Sequence, residues 1–293
     1  MTALAVVLAL LASAMFAGAA VLQQRAAADV PDERPGALGF VGQLLRRRTW
    51  LAGIALDTLA FGVQAAALAV GSVVLVQPLL VTTLLFALPL EAWTHRRRLT
   101  VAEWTWSGVL VAALAVFVLL GRPTAGVTRP SAESWTVPAV VLVVVLAACV
   151  GGARLLRRGA GRSLVLAVAA GTVLGYSDPL TKTAMDELGH GVWRALSSWE
   201  LWAMIVAVIL GTFWQQLSYH AGSVQTSLPT VSVLEPVVAV TLGLTLYREH
   251  LHVDELGGVA VVASVVVMAV ATVAIGRLGA DTSLNEEAQA PVA

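Results

Sequence analysis

Residues 66–80, AALAVGSVVLVQPLL, return 151 positions later as LSYHAGSVQTSLPTV at residues 217–231. At that constant offset Gln64 meets Gln215, Gly71 meets Gly222, Ser72 meets Ser223 and Pro78 meets Pro229. A second register, offset by 158, sets Leu22, Gln24 and Ala26 over Leu180, Lys182 and Ala184. One copy of a unit follows another. If an odd number of helices separates equivalent segments, the two copies cross a bilayer in opposite directions, which is the architecture of many secondary transporters.

The chain around this repeat is far too apolar for a water-soluble protein, with 58% hydrophobic and 12% charged residues and a mean hydropathy of +0.83 over 293 residues. A spanning helix needs roughly 20 mostly apolar residues. Nine runs qualify: 3–22, 50–70, 72–92, 104–121, 135–153, 163–181, 199–219, 223–246 and 255–276. The expected fold is an all-α membrane protein of nine transmembrane helices, in one transporter domain. Two inverted four-helix repeats, 3–121 and 163–276, are joined by a connecting helix at 135–153, and 277–293 is read as a disordered cytoplasmic tail. The first run resembles a signal peptide in its AGAA near Ala17 but lacks a basic start, and is kept as a helix.

Net charge is zero, yet 13 of the 18 Lys and Arg residues fall in alternate loops: Arg25 to Arg48, Arg96 to Arg98, Arg154 to Arg162, and Arg277. That asymmetry predicts a plasma-membrane protein with its N-terminus outside and its C-terminus in the cytoplasm. Trp50, Trp93, Trp104, Trp106, Trp135, Trp193 and Trp199 fall near helix ends and read as headgroup anchors. The lone Cys149 forms no internal disulfide and is read as a packing residue.

Gly71 and Gly222 mark two hairpins with almost no loop, and Pro78 and Pro229 enter the helices that follow, each removing a backbone donor and favouring a kink. With Pro236, the segment PTVSVLEP is expected to bend and to free carbonyl oxygens.

Ionisable side chains inside a bilayer are costly, which makes each a functional candidate. Glu235, Asp57 and Asp178 are acids of this kind that stand inside the spans, away from the first and last two residues. Lys182, the single lysine, follows Asp178 by one turn and is expected to pair with it. Asp57 and Glu235 have no basic partner in their own helices, so each is neutral, hydrated or balanced by a cation. Two mechanisms stay open: a protonatable carboxylate coupled to a proton gradient, or a carboxylate ligand for a hard cation such as Mg²⁺, held by Glu235 and Asp57. Gln64 and Gln215, as repeat mates, are expected on opposite sides of a cavity, against the alternative of ordinary interhelical hydrogen bonding; Gln77, Gln216 and Gln225 are further neutral polar groups.

No zinc spacing, no catalytic serine or phosphate-loop motif and no nucleic-acid-binding pattern is present. The chain is therefore read as a non-enzyme without cofactor. Its expected partners are the lipid bilayer and a small solute or divalent cation, with a homodimer left open.

SVLEPVVAVTLGLTLYREHL at 232–251, followed by GGVAVVASVV, resembles the end of a repeat in the drug/metabolite transporter superfamily, with Glu249 and Leu251 at its Glu-x-Leu. In the first copy Arg97 or Arg98 replaces the glutamate. ASAMFAGAAVLQQRAA from Ala12 and AAGTVLGYSDPLTKTAM from Ala169 are similar to the first helix of each repeat, with Lys182 at a familiar basic position. The four-one-four layout is most similar to the NIPA-type magnesium transporter branch. That resemblance implies alternating-access transport and, through the branch, magnesium. The competing expectations are a proton-coupled exporter of metabolites or drugs, and a non-transporting scaffold that would dock partners through the connecting helix.

Overall fold

In a bilayer a long apolar run has no backbone partner but itself, so such runs fold as helices. The computed structural model describes residues 2–28, 46–94, 97–157, 159–221 and 224–289. Arg96, Gly222 and Ser223 lie outside them, as do the side chains of Gln24, His220, Gln225 and Pro229. The helices are α1 (Thr2–Ala28), α2 (Arg48–Val70), α3 (Val73–Leu80), α4 (Thr83–Thr94), α5 (Val101–Gly121), α6 (Thr136–Leu155), α7 (Ala160–Gly189), the short α8 (Val192–Ser197), α9 (Trp199–Ala221), α10 (Val224–Thr245) and α11 (Glu255–Gln289).

Among the described residues, eight segments are long and apolar enough to cross a membrane, with α3 and α4 counted as one. The chain is a membrane-embedded helical protein. The further span expected from the sequence corresponds to α10, whose described apolar portion is the shorter Thr230–Thr245.

Five features differ from expectation. The third span breaks into α3 and α4 at Val81 and Thr82, three residues after Pro78, while the turn before the proline stays helical. The break is stitched by Thr82, whose amide and hydroxyl both donate to the Leu79 carbonyl, and by Ser13 of α1, which also reaches that oxygen. α10, by contrast, runs without a break through Pro236. α11 continues as helix to Gln289, into the stretch expected as a disordered tail. Trp135 is not a headgroup anchor: it is buried edge-on against Trp199 and Tyr247.

The fifth difference matters most for function. The sixth span was expected to end near residue 181, where polar residues begin, but α7 continues to Gly189. The polar residues are tolerated because they are paired: Lys182 with Glu249, and Glu187 with Arg129. Asp178 therefore stands well inside a helix, not near its end.

The halves pack alike. α1 lies against α2, α3 and α4, just as α7 lies against α9 and α10, and the fourth helices, α5 and α11, pack on each other. α7 is the most buried span and α6 the least. α10 seats on α7 at Gly171 and Gly175, where a Cβ on Gly175 would stand 2.7 Å from the Glu235 carbonyl oxygen. This is the close backbone approach that paired small residues permit between membrane helices.

Candidate functional site

The α7 face that carries Asp178 and Lys182 is the polar centre of the molecule. Asp178 is 1% exposed and accepts a hydrogen bond at Oδ1 from Gln64 Nε2 of α2, at 2.7 Å. That bond joins the two halves. Gln77 of α3, 2% exposed, approaches the same carboxyl without reaching bonding geometry. Gln77 Nε2 and Asp178 Oδ2 are thus both buried with no hydrogen-bond partner among the described residues. Glu235 of α10, half-buried, comes within electrostatic reach of Asp178 with the same sign of charge.

Lys182 does not pair with Asp178. Its ammonium lies 2.5 Å from Glu249 Oε1, beyond the end of α10, and 5.5 Å from the centre of the Tyr247 ring. Glu249 also accepts from the backbone amides of Val73 and Val74, at 2.9 and 2.8 Å. A single carboxylate therefore caps α3 and neutralises the lysine, with the positive end of the helix dipole on its side. Ser72 completes the cap by accepting from the Leu75 amide. Gly243 of α10 makes the room, since a Cβ there would lie 3.0 Å from Glu249 Oε2. Tyr247 adds a second tie: its hydroxyl donates to the Pro179 carbonyl and contacts Thr183 Oγ1. Burial raises the Tyr247 phenol above its ordinary pKa, which keeps it a donor at neutral pH.

The corresponding corner of the first half is built differently. There Arg97 forms a two-pronged ion pair with Glu103, at 3.0 and 2.9 Å, and Glu103 closes a capping box with Thr100 at the start of α5. Arg97 thus pairs with a local acid, whereas Glu249 pairs with a distant lysine.

Of the six residues singled out in the sequence, the structure joins Gln64 to Asp178 and brings Glu235 towards them. Asp57 lies two turns before Gln64, half-buried, with no hydrogen bond or ion pair to a described residue. α2 and α10 have no developed contact, so the expected Asp57 and Glu235 pair is not assembled; the acid facing Glu235 is Asp178. Gln215, half-buried on α9, makes no side-chain hydrogen bond to a described residue and does not mirror Gln64. Sequence reading listed Gln77 only as a neutral polar group and gave Glu249 no partner. The signal for Gln77 was present, because it precedes the helix-breaking Pro78. Glu249 had none in local spacing, because its partners lie 67 to 176 residues away.

An uncharacterised protein of Corynebacterium glutamicum is 32% identical to this chain over 278 residues, covering 94% of this chain and 95% of that protein. No family model and no solved structure matches. At that identity and coverage, the chain belongs to the same family as the Corynebacterium protein.

Proposed function

We propose that the protein is a secondary carrier of the drug/metabolite transporter type, moving a small solute by alternating access, with Asp178 and Glu235 as its cation-handling centre. One observation carries this reading: a buried carboxyl bridges the two halves, keeps one oxygen unpartnered and faces a second carboxyl, while the nearest lysine is committed elsewhere. A purely structural polar group inside a membrane is normally satisfied in full, because hydrocarbon offers no substitute for water. Surplus acceptor capacity at a bundle centre is what a proton or hard cation would fill. The matching helix pairings of the two halves support repeats rocking about the α2–α7 and α3–α10 contacts, and the uneven spread of Lys and Arg supports an N-terminus outside.

Magnesium is a second reading, favoured by the donor chemistry. The carboxylates of Asp178 and Glu235 are hard oxygen donors, and Mg²⁺ needs only one or two carboxylates because it keeps several waters. The test is Mg²⁺ uptake by proteoliposomes loaded with a magnesium-sensitive dye, with and without an imposed proton gradient, for wild type, Asp178→Asn and Glu235→Gln. Saturable uptake lost in both variants selects magnesium. No uptake, with a carboxyl infrared band that responds to pH in wild type and disappears in Asp178→Asn or Glu235→Gln, selects proton coupling. A wild-type protein silent in both measurements overturns the carrier reading.

A further inference from the structure

Arg248 has φ +51°, a left-handed conformation that a non-glycine residue keeps only when its neighbours hold it there. Both neighbours are anchored: Tyr247 is buried against Pro179, and Glu249 is fixed on α3 and Lys182. The Arg248 side chain between them is exposed and has no carboxylate partner among the described residues.

It stands with Arg129 at the rim of a groove of about 510 Å³ between α6 and α10. Val137 and Val141 of α6 form one wall, and Leu242 and Leu246 form the other. Arg129 is occupied by Glu187 and by both oxygens of Glu200, at 2.6, 2.9 and 3.1 Å, so Arg248 is the guanidinium of the rim that is left to meet a ligand. The slot thus has apolar walls along membrane-spanning segments and, at its loop end, one guanidinium without a carboxylate among the described residues. Among the described residues, α6 has developed contacts only with α7 and the short 3₁₀ turn Ala132–Trp135; Tyr176 of α7, whose hydroxyl donates to the Pro138 carbonyl, also lines the groove between α6 and α10.

We propose that this groove binds an anionic phospholipid, its phosphate on the Arg248 guanidinium and one acyl chain between α6 and α10. Apolar walls match the chain, and a pre-positioned guanidinium matches the phosphate.

The test is native mass spectrometry of the full chain, equilibrated in micelles that contain equal amounts of phosphatidylglycerol and phosphatidylcholine. Wild type is expected to retain phosphatidylglycerol preferentially, and Arg248→Gln to retain about tenfold less, the loss of one charge-assisted contact. Val141→Trp, which fills the slot and leaves the charge, should lose the lipid as well; Arg122→Gln, an exposed arginine outside the groove, should keep it. If Arg248→Gln fails to fold, the Val141→Trp comparison still decides. Equal retention of the two lipids by wild type would overturn the proposal, as would unchanged retention in Arg248→Gln. Retention by Val141→Trp that inorganic phosphate strips away would reduce the groove to a simple anion site and overturn it too.

Discussion

Asp178 and Lys182 stand one turn apart on the same buried face of α7, and the fold treats them in opposite ways. Lys182 meets a carboxylate that also caps α3, within a cluster that accounts for its charge. Asp178 receives one amide bond, keeps a bare oxygen and looks towards a second acid. Both are buried ionisable groups in a membrane helix, so burial alone does not identify a functional site. The difference lies in satisfaction: the paired group holds helices together, and the half-satisfied one is available to a ligand.

The largest test of that contrast is removal of Glu249. Glu249→Ala leaves Lys182 uncompensated and α3 uncapped, and should lower unfolding stability in detergent by about 3–5 kcal/mol. Lys182→Ala should cost a similar amount, and the double variant clearly less than the sum. Strict additivity in denaturant titrations would show that the two do not act as a pair. A smaller effect is expected at the seat of α10. Gly175→Val drives a side chain into the Glu235 carbonyl and should cost about 1–3 kcal/mol, read as a lowered thermal midpoint. At the opposite corner, Thr100→Ala removes half of a capping box and should cost about 1 kcal/mol, also by thermal unfolding. Asp178→Asn should have the least effect on stability, within about 1 kcal/mol of wild type, because asparagine can still accept from Gln64 and removes the like-charge conflict with Glu235. A loss as large as that of Glu249→Ala would make Asp178 structural and break the comparison.

Much of the fold was legible because its causes are local. Apolar runs marked the helices, and Pro78 announced a disturbance that became a full break three residues later. Other elements were misread for an equally physical reason. The end of α7 was placed too early because Lys182 and Glu187 look like residues that leave a membrane, and only their partners, Glu249 and Arg129, allow the helix to continue. The candidate site divided along the same line. Asp178, Glu235 and Gln64 stood out as polar groups in apolar runs. The expected pairs, Asp178 with Lys182 and Asp57 with Glu235, followed from helical spacing and from composition, and neither constrains which helices touch.

By itself the sequence determined a membrane-embedded helical chain and a short roster of polar side chains within its apolar runs, because hydropathy acts within a single segment. The tertiary structure decided which of those side chains are paired and which are left open. An ion pair or hydrogen bond forms only between atoms within about 3 Å of one another, and the partners that decide the matter here, Gln64 with Asp178 and Lys182 with Glu249, are 114 and 67 residues apart along the chain.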